Sequence, residues 1–420
     1  MPHRLRSDRL VQLGYLSAQL FLKNGLSNHA AATAFYCLLS ATPVLLLLSY
    51  ALQWLGELAA NSRAATILMA ALYEQLSLSQ LIELGFIPRE AKLGAGGVGL
   101  LTLALSSRGL INTVQGAFGV IFPEGAKRRL VLSWLLPLVI LPLLFVLAGT
   151  ATVAQSTLRF LAAHDFIGLG NAMVLRWLGN GFGFTMLWAV LFAAFWRLPR
   201  PKSPPRLAAA FALAAALTLA VLLAGFGVFF RVDSYQSLYG ALGGVVFVLI
   251  GAYFAALVFY FWAQALYAWG KVDVAALEKL FLDAEGNRME HAVFGDARRL
   301  LAKYGQVWPA GHVLINEGET DRTAYMLHAG RATVLKRTGA GATRLGELKA
   351  GQLFGEMAYL LNEPRTASIV ADTEITVLSL PPEVLEELMR FSAPLSRRII
   401  DTLCQRLEKM NLAVRQTADS

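Results

Sequence analysis

One stretch decides the fold of the C-terminal region, residues 351–368, which read GQLFGEMAYLLNEPRTAS. Gly355 permits close approach of the backbone to a ligand, and a short helical turn after Phe354 presents free N–H groups to an anion. Arg365 adds a charge-assisted hydrogen bond and Thr366 a hydroxyl donor, which together suit a phosphodiester with one negative charge. The stretch therefore predicts a phosphate site.

Glu356 indicates what kind of phosphate is bound. An ionised carboxylate only accepts hydrogen bonds, so Glu356 suits a ribose hydroxyl and not the phosphate itself. A donor cradle for phosphate beside an acceptor for a 2′-OH describes a ribose 3′,5′-cyclic phosphate. The predicted site comprises Phe354, Gly355, Glu356, Met357, Arg365, Thr366 and Ala367.

The sequence around this stretch predicts a β-roll. Beyond Pro309, short β-type runs alternate with glycine turns, at 312–315, 324–327, 331–335, 343–348, 368–370 and 374–380. This spacing is typical of an all-β barrel or jelly roll. Two helical stretches follow, 382–389 and 395–412, so residues 307–420 are predicted as one cytosolic domain with C-terminal helices.

Residues 351–368 resemble the phosphate-binding cassette of cyclic-nucleotide-binding domains in catabolite activator proteins, kinase regulatory subunits and gated channels. Phe-Gly-Glu at 354–356 and Pro-Arg-Thr-Ala at 364–367 stand at the family separation. The resemblance implies that Gly355 and Glu356 lie at the ribose and phosphate edge, and that Arg365 and Thr366 bind the phosphate. It also implies a final helix that closes over the purine.

The base is less defined than the phosphate. The candidate closing stretch, 406–411, offers polar side chains but no pair of hydroxyls. We therefore expect cyclic AMP over cyclic GMP only on general grounds. A β-roll that has lost its ligand stays open as the alternative.

The rest of the chain has the composition of a membrane protein. Of 420 residues, 56% are hydrophobic and only 15% are charged, whereas about 25% charged is usual for soluble proteins. Charged residues are sparse over 30–270 and ordinary in density over 271–420. The net charge of +9 falls in short clusters between apolar runs, which fits topology determinants better than a nucleic-acid surface.

Six stretches contain the roughly 20 apolar residues that a spanning helix needs: 30–55, 93–111, 130–154, 172–198, 207–230 and 240–268. The charged run 58–87 is predicted as an extracytoplasmic helical segment. Lys and Arg cluster in alternate connections, including 127–129 and 197–206. This pattern predicts a multi-pass protein of the bacterial inner membrane with both termini in the cytoplasm.

The predicted organisation has four parts: an amphipathic cytoplasmic segment (1–29), the membrane domain (30–270), a helical connector (271–306) and the cytosolic domain (307–420). The amphipathic pattern of the connector joins the last span to the cytosolic domain. Either it transmits movement between them or it is a plain connector.

The membrane region resembles the YihY/virulence factor BrkB family over about residues 10–269. The matching motifs are AAATAFYCLLSATP at 30–43, SSRG at 106–109 and YQSLYGALGG at 235–244. That family has an acidic residue in its last helix where this chain has Gln264, so any role of that acid is not carried over. The resemblance implies envelope integrity or transport, and some members carry the label ribonuclease BN.

No catalytic residues and no metal site are predicted, because the six histidines are scattered over both halves. We expect a membrane transporter or envelope-integrity factor regulated by a cyclic nucleotide. The alternatives are an envelope protein whose β-roll docks a partner, and a membrane-associated ribonuclease. The expected partners are the lipid bilayer and the nucleotide, without nucleic acid, and assembly into a homo-oligomer stays open.

Overall fold

The structure is a computed structural model that describes residues 2–40, 108–123, 172–229, 242–282, 288–338 and 341–418. The chain forms two compact units. One contains Met1–Leu16 together with Ala268–Ser420, and the other contains Ser17–Tyr267. The predicted span 130–154 and the predicted segment 58–87 lie outside the described residues.

The first half of the described chain is helical throughout. Its helices are α1 (Pro2–Lys23), α2 (26–40), α3 (108–121), α4 (Ala172–Arg197), α5 (Pro205–Phe229) and α6 (Leu242–Leu282). Within the described ranges, two helices are long and apolar enough to cross a membrane, Pro205–Gly225 of α5 and Val245–Leu282 of α6. The predicted number of six spans is therefore not confirmed.

Helix α5 is apolar on all sides, as a helix in lipid must be. One stripe at helical spacing is buried against the protein: Ala208, Ala212, Ala215, Ala216 and Leu219. The other faces expose large apolar side chains: Leu213, Leu217, Val221 and Leu223. A soluble helix would carry polar residues there, so the composition of α5 is that of a membrane helix.

Polar contacts tie α6 to the N-terminal helices of its unit. Asn24, in the turn between α1 and α2, donates from Nδ2 to Gln264 Oε1 at 2.9 Å. The hydroxyls of Thr33 and Tyr260 lie 2.7 Å apart. Gln264 and Tyr260 are fully buried, and these bonds satisfy the Gln264 Oε1 and the Tyr260 hydroxyl, which would be costly to bury alone.

The C-terminal region is the predicted β-roll. Its strands are β1 (Gly305–Trp308), β2 (Val313–Ile315), β3 (Ala324–Ala329), β4 (Arg331–Thr338), β5 (Gly341–Lys349), β6 (Leu353–Phe354), β7 (Ser368–Ala371) and β8 (Ile375–Leu380). They form two four-stranded antiparallel sheets, ordered β1-β8-β3-β6 and β2-β7-β4-β5. The sheets enclose a core of Ile315, Leu327, Ala332, Leu348, Phe354, Ile369, Ala371, Ile375 and Val377.

Five further helices belong to the described part of this region: α7 (Arg288–Phe294), α8 (Arg298–Tyr304), α9 (Glu356–Leu360), α10 (Pro382–Phe391) and α11 (Ala393–Ala418). Helices α10 and α11 are the two predicted C-terminal helices. The predicted connector does not begin with a break, because α6 continues through residue 271 to Leu282. Buried Val272, Leu277 and Phe281 keep the last turns of α6 packed.

The end of α6 contacts the two C-terminal helices through polar groups. Lys271 Nζ lies 2.7 Å from Glu387 Oε1 of α10. The Ser392 hydroxyl, between α10 and α11, donates to Glu278 Oε1 at 2.6 Å. Arg398 Nη1 of α11 donates to the Phe281 carbonyl at 3.0 Å. We call these three contacts the α6 clamp.

Candidate functional site

The predicted phosphate stretch begins with a backbone conformation that only glycine adopts readily. Gly355 connects β6 to α9 with a φ of 76°. A Cβ at this position would lie 2.7 Å from Arg365 Nη1 and 3.2 Å from the Thr323 carbonyl oxygen. Both the left-handed conformation and the close approach therefore require glycine.

Hydrogen bonds hold Arg365 in place, and only 4% of the residue is exposed. Its Nη1 donates to the Gly355 carbonyl at 2.6 Å. Its Nη2 donates to the Thr323 carbonyl at 2.6 Å and to Asp321 Oδ2 at 2.8 Å. The Nε is buried and, among the residues that the structure describes, has no hydrogen-bond acceptor.

Asp321 holds this arginine, although the sequence reading did not select it. Its carboxylate also accepts from the Thr323 hydroxyl at 3.0 Å. Burial raises the pKa of Asp321, but the hydrogen bonds from Thr323 and Arg365 outweigh it and leave the pKa below its ordinary value. The spacing of Asp321 and Thr323 signals a local turn, whereas nothing local in the sequence pairs Asp321 with Arg365.

A cavity of about 530 Å³ lies beside Arg365 and contains most of the predicted site. It is lined by Phe354, Gly355, Met357, Arg365, Thr366 and Ala367. Its volume lies within the range of about 300–1,000 Å³ that small-molecule sites occupy. Thr366 is exposed at its edge, while Phe354 also belongs to the core and stacks on Tyr325 at 5.6 Å.

The opposite wall consists of residues that the sequence reading did not select. They include Val334 of β4, the segment 345–348 of β5, and Ile369 of β7. The sequence predicts a strand at 343–348, and the pairing of β4 with β5 places that strand beside the cavity. The site therefore has one cationic end and a largely apolar wall.

The structure places Glu356 differently from its predicted neighbours. It is only 2% exposed as the first residue of α9. It lines an adjacent cavity of about 170 Å³, which is also lined by Phe281 of α6 and by Leu395 and Arg398 of α11. Glu356 thus lies where the predicted phosphate stretch meets the helices of the α6 clamp.

Comparisons with known families find two families in the chain. The profile of the family Virulence factor BrkB matches residues 17–275, and that of the Cyclic nucleotide-binding domain matches residues 306–391. Both resemblances seen in the sequence are confirmed.

Curated relatives match about a fifth to a quarter of the chain. A cAMP-dependent protein kinase regulatory subunit of Neurospora crassa is 36% identical over 84 residues, which are 20% of this chain and 21% of the relative. A cyclic nucleotide-gated potassium channel of Rhizobium etli is 34% identical over 101 residues, or 24% of this chain and 27% of the channel. The match thus spans about a fifth to a quarter of these relatives.

Solved structures match about a third of the chain. The catabolite activator protein of Thermus thermophilus is 21% identical, with a TM-score of 0.29, over 33% of this chain and 63% of that protein. The cAMP complex of the regulatory domain of Toxoplasma gondii PKA is 22% identical, with a TM-score of 0.24, over 30% and 48% of the two chains. Since the BrkB profile covers more than half of the sequence, the chain belongs to the virulence factor BrkB family of membrane proteins and carries a C-terminal cyclic nucleotide-binding domain.

Proposed function

We propose that this chain is a membrane transporter or envelope-integrity factor whose membrane region is regulated by a cyclic nucleotide bound in the 530 Å³ cavity. The observation that carries the proposal is Arg365, a buried cation at one end of that cavity with an Nε that has no acceptor in the described part of the chain. An anionic phosphate oxygen supplies such an acceptor, in addition to the Asp321 carboxylate that already pairs with Arg365.

The rest of the ligand follows from the cavity walls. The phosphate lies at Arg365 and Thr366, and the purine lies against the apolar side formed by Val334 and β5. Adenine is favoured because the kinase relatives are named for their dependence on cAMP. The choice between cyclic AMP and cyclic GMP belongs to the proposal.

Glu356 is assigned to the ribose 2′-OH, and this role requires its carboxylate to turn. Glu356 follows Gly355, which lines the larger cavity, and we propose that its side chain changes rotamer towards that cavity when the ligand binds. The turn withdraws the carboxylate from the smaller cavity that Phe281, Leu395 and Arg398 also line. Ligand binding therefore changes the side-chain contacts where α6 meets α11.

The α6 clamp supports coupling to the membrane region. It joins the helices that follow the β-roll to the end of a helix whose earlier residues qualify as a membrane span. A nucleotide shifts the membrane region only if it binds two arrangements of these helices with different affinity. We propose that the clamp is the element that differs between them.

The proposal includes the topology predicted from the sequence. Six spans, with both termini in the cytoplasm of a bacterium, place the nucleotide site where cyclic nucleotides are made. The membrane region is proposed to have no catalytic activity, which separates this function from that of a ribonuclease.

Flux or conductance of the purified full chain in liposomes tests the regulation. We expect addition of cyclic AMP to change the flux of a panel of small ions and solutes, and Arg365→Ala to abolish that response. A response that persists in Arg365→Ala contradicts regulation through this site. A chain that binds the nucleotide but shows the same flux with and without it favours the docking-module alternative.

A further inference from the structure

A cluster of charged side chains lies beside Trp269, where the uncharged stretch of α6 ends. Arg9 of α1 places its guanidinium 4.2 Å from the centre of the Trp269 ring. Four residues after Trp269, Asp273 lies 2.8 Å from Arg299 Nη1 and accepts from Lys303 Nζ at 2.6 Å. The charge of Arg9 acts on both Asp273 and Arg299. We call these five residues the juxtamembrane cluster.

The cluster carries more positive than negative charge. Arg9, Arg299 and Lys303 face Asp273, and Asp8 also acts on Arg299 but is exposed. Burial lowers the pKa of Arg299; the attraction of Asp273 opposes this effect, and the positive charge of Arg9 adds to it. A further anion at this position would relieve the repulsion between the two guanidinium groups.

Two donors of the cluster are unsatisfied. Arg9 Nε and Arg299 Nη2 are buried, and neither has a hydrogen-bond acceptor among the described residues. Buried N–H groups without an acceptor are unfavourable. The planar guanidinium presents its donors in a geometry that matches phosphate oxygens. The third cation, Lys303, is 56% exposed and is the one that an incoming anion meets first.

The position of the cluster identifies the source of the phosphate. Residues 242–270 of α6 contain no Asp, Glu, Lys or Arg, and at about 1.5 Å per residue this length exceeds the roughly 30 Å of bilayer hydrocarbon. Tryptophan at the end of such a stretch is typical of the membrane–water interface. Trp269 therefore places Arg9 and Arg299 at the level of lipid headgroups.

We propose that the juxtamembrane cluster is a binding site for the phosphate of an anionic phospholipid headgroup, held by Arg9, Arg299 and Lys303 beside Trp269. This site is separate from the nucleotide cavity, and it fixes the end of α6 to the membrane surface. Its ligand class is a phosphodiester that is joined to acyl chains.

The test uses the delipidated full chain in detergent, titrated with phosphatidylglycerol or phosphatidylcholine while native mass spectrometry counts bound lipid. We expect preferential binding of phosphatidylglycerol and a loss of about fivefold in its affinity in Arg299→Gln. Arg298→Gln is the matched control, because Arg298 is the adjacent residue, is 78% exposed and pairs locally with Asp296. The control should bind like the wild type.

Several outcomes overturn the proposal. Equal binding of the two lipids means that the cluster does not recognise an anionic headgroup. Equal losses in Arg299→Gln and Arg298→Gln mean that diffuse basic charge is responsible. Competition by inorganic phosphate at the concentration at which the lipid binds means that the site takes a soluble anion. If Arg299→Gln does not fold, Lys303→Gln at the exposed cation should show the same selective loss, and an unchanged affinity in that variant is equally contradictory.

Discussion

Gly355 shows how one residue combines a backbone requirement with a steric one. Gly355→Ala should destabilise the β-roll by about 1–3 kcal/mol because alanine disfavours the left-handed conformation. The new methyl group also meets Arg365 and Thr323, and this crowding should add to the destabilisation. Gly351→Ala is the matched control, since Gly351 has a φ of 87° and open space at its Cβ position. Urea unfolding of both variants measures the difference, and equal destabilisation would show that crowding at Gly355 is unimportant.

Asp321 gives the site a dependence on pH. Because its pKa in the folded chain lies below the ordinary value, its stabilising contribution is present above about pH 4 and is lost as the pH falls through the folded value. Asp321→Asn should remove this part of the acid sensitivity and cost about 1 kcal/mol or less at neutral pH, since the side chain is 54% exposed. Urea midpoints of the wild type and the variant between about pH 3 and pH 7 measure this acid sensitivity. If the midpoints of both proteins fall equally with pH, Asp321 is not the group responsible.

Glu356 is the residue whose predicted role differs most from its observed surroundings. If its carboxylate accepts from the ribose hydroxyl, Glu356→Gln should weaken binding of cyclic AMP more than binding of 2′-deoxy cyclic AMP. The difference between the two losses, about 1–3 kcal/mol, is the energy of the hydrogen bond to the charged group. Calorimetry with both ligands measures it. Equal losses would show that Glu356 does not bind the ribose hydroxyl.

Among the elements, the α6 clamp makes the clearest prediction. Glu278→Gln should weaken the acceptor for Ser392 and loosen the start of α11, so the amides of 395–402 should exchange faster with deuterium in the full chain. The control is Arg390→Gln, because Arg390 is 69% exposed and pairs with Glu386 one turn away, and exposed pairs of this kind contribute little. Unchanged exchange over 395–402 in Glu278→Gln would show that the clamp does not hold α11.

The sequence predicts the elements well where periodicity is strong and poorly where it is short. Strands β3, β4, β7 and β8 and helices α10 and α11 fall where the sequence pattern predicts them. Strands β1 and β6 were not predicted: β1 is mostly exposed and β6 contains only two residues, so neither shows an alternation. The continuity of α6 past Gly270 was also not predicted, because a glycine followed by charges reads as a helix end while tertiary packing of Val272 and Leu277 continues it.

The residues of the candidate site also differ in whether the sequence alone predicts them. Arg365, Gly355 and Thr366 are recognisable in the sequence, because their chemistry is concentrated in one stretch. Asp321 and the β5 wall are not, because they reach the cavity only through strand pairing and a contact between residues far apart in the chain. The location of Glu356 beside Phe281 depends on the packing of α6 and α11, which no local pattern contains.

At the scale of the whole molecule, two families are joined in one chain, and α6 begins in the BrkB-like region and ends beyond it. It runs from residues that qualify as a membrane span to residues that contact the helices after the β-roll. The headgroup site proposed at Trp269 lies between these two ends of the helix. In the proposed function, α6 is the chain segment that connects the nucleotide-binding domain with the membrane region.

Binding of a cyclic nucleotide at Arg365 is tested by calorimetric titration of the purified full chain. Cyclic AMP should bind to the wild type, and Arg365→Ala should lose about 2–5 kcal/mol of binding free energy because the phosphate charge is then unpaired. Arg322→Ala, at an exposed arginine of the same region, should bind like the wild type. Absence of binding by cyclic AMP and cyclic GMP at millimolar concentration, or an unchanged affinity in Arg365→Ala, would contradict the account.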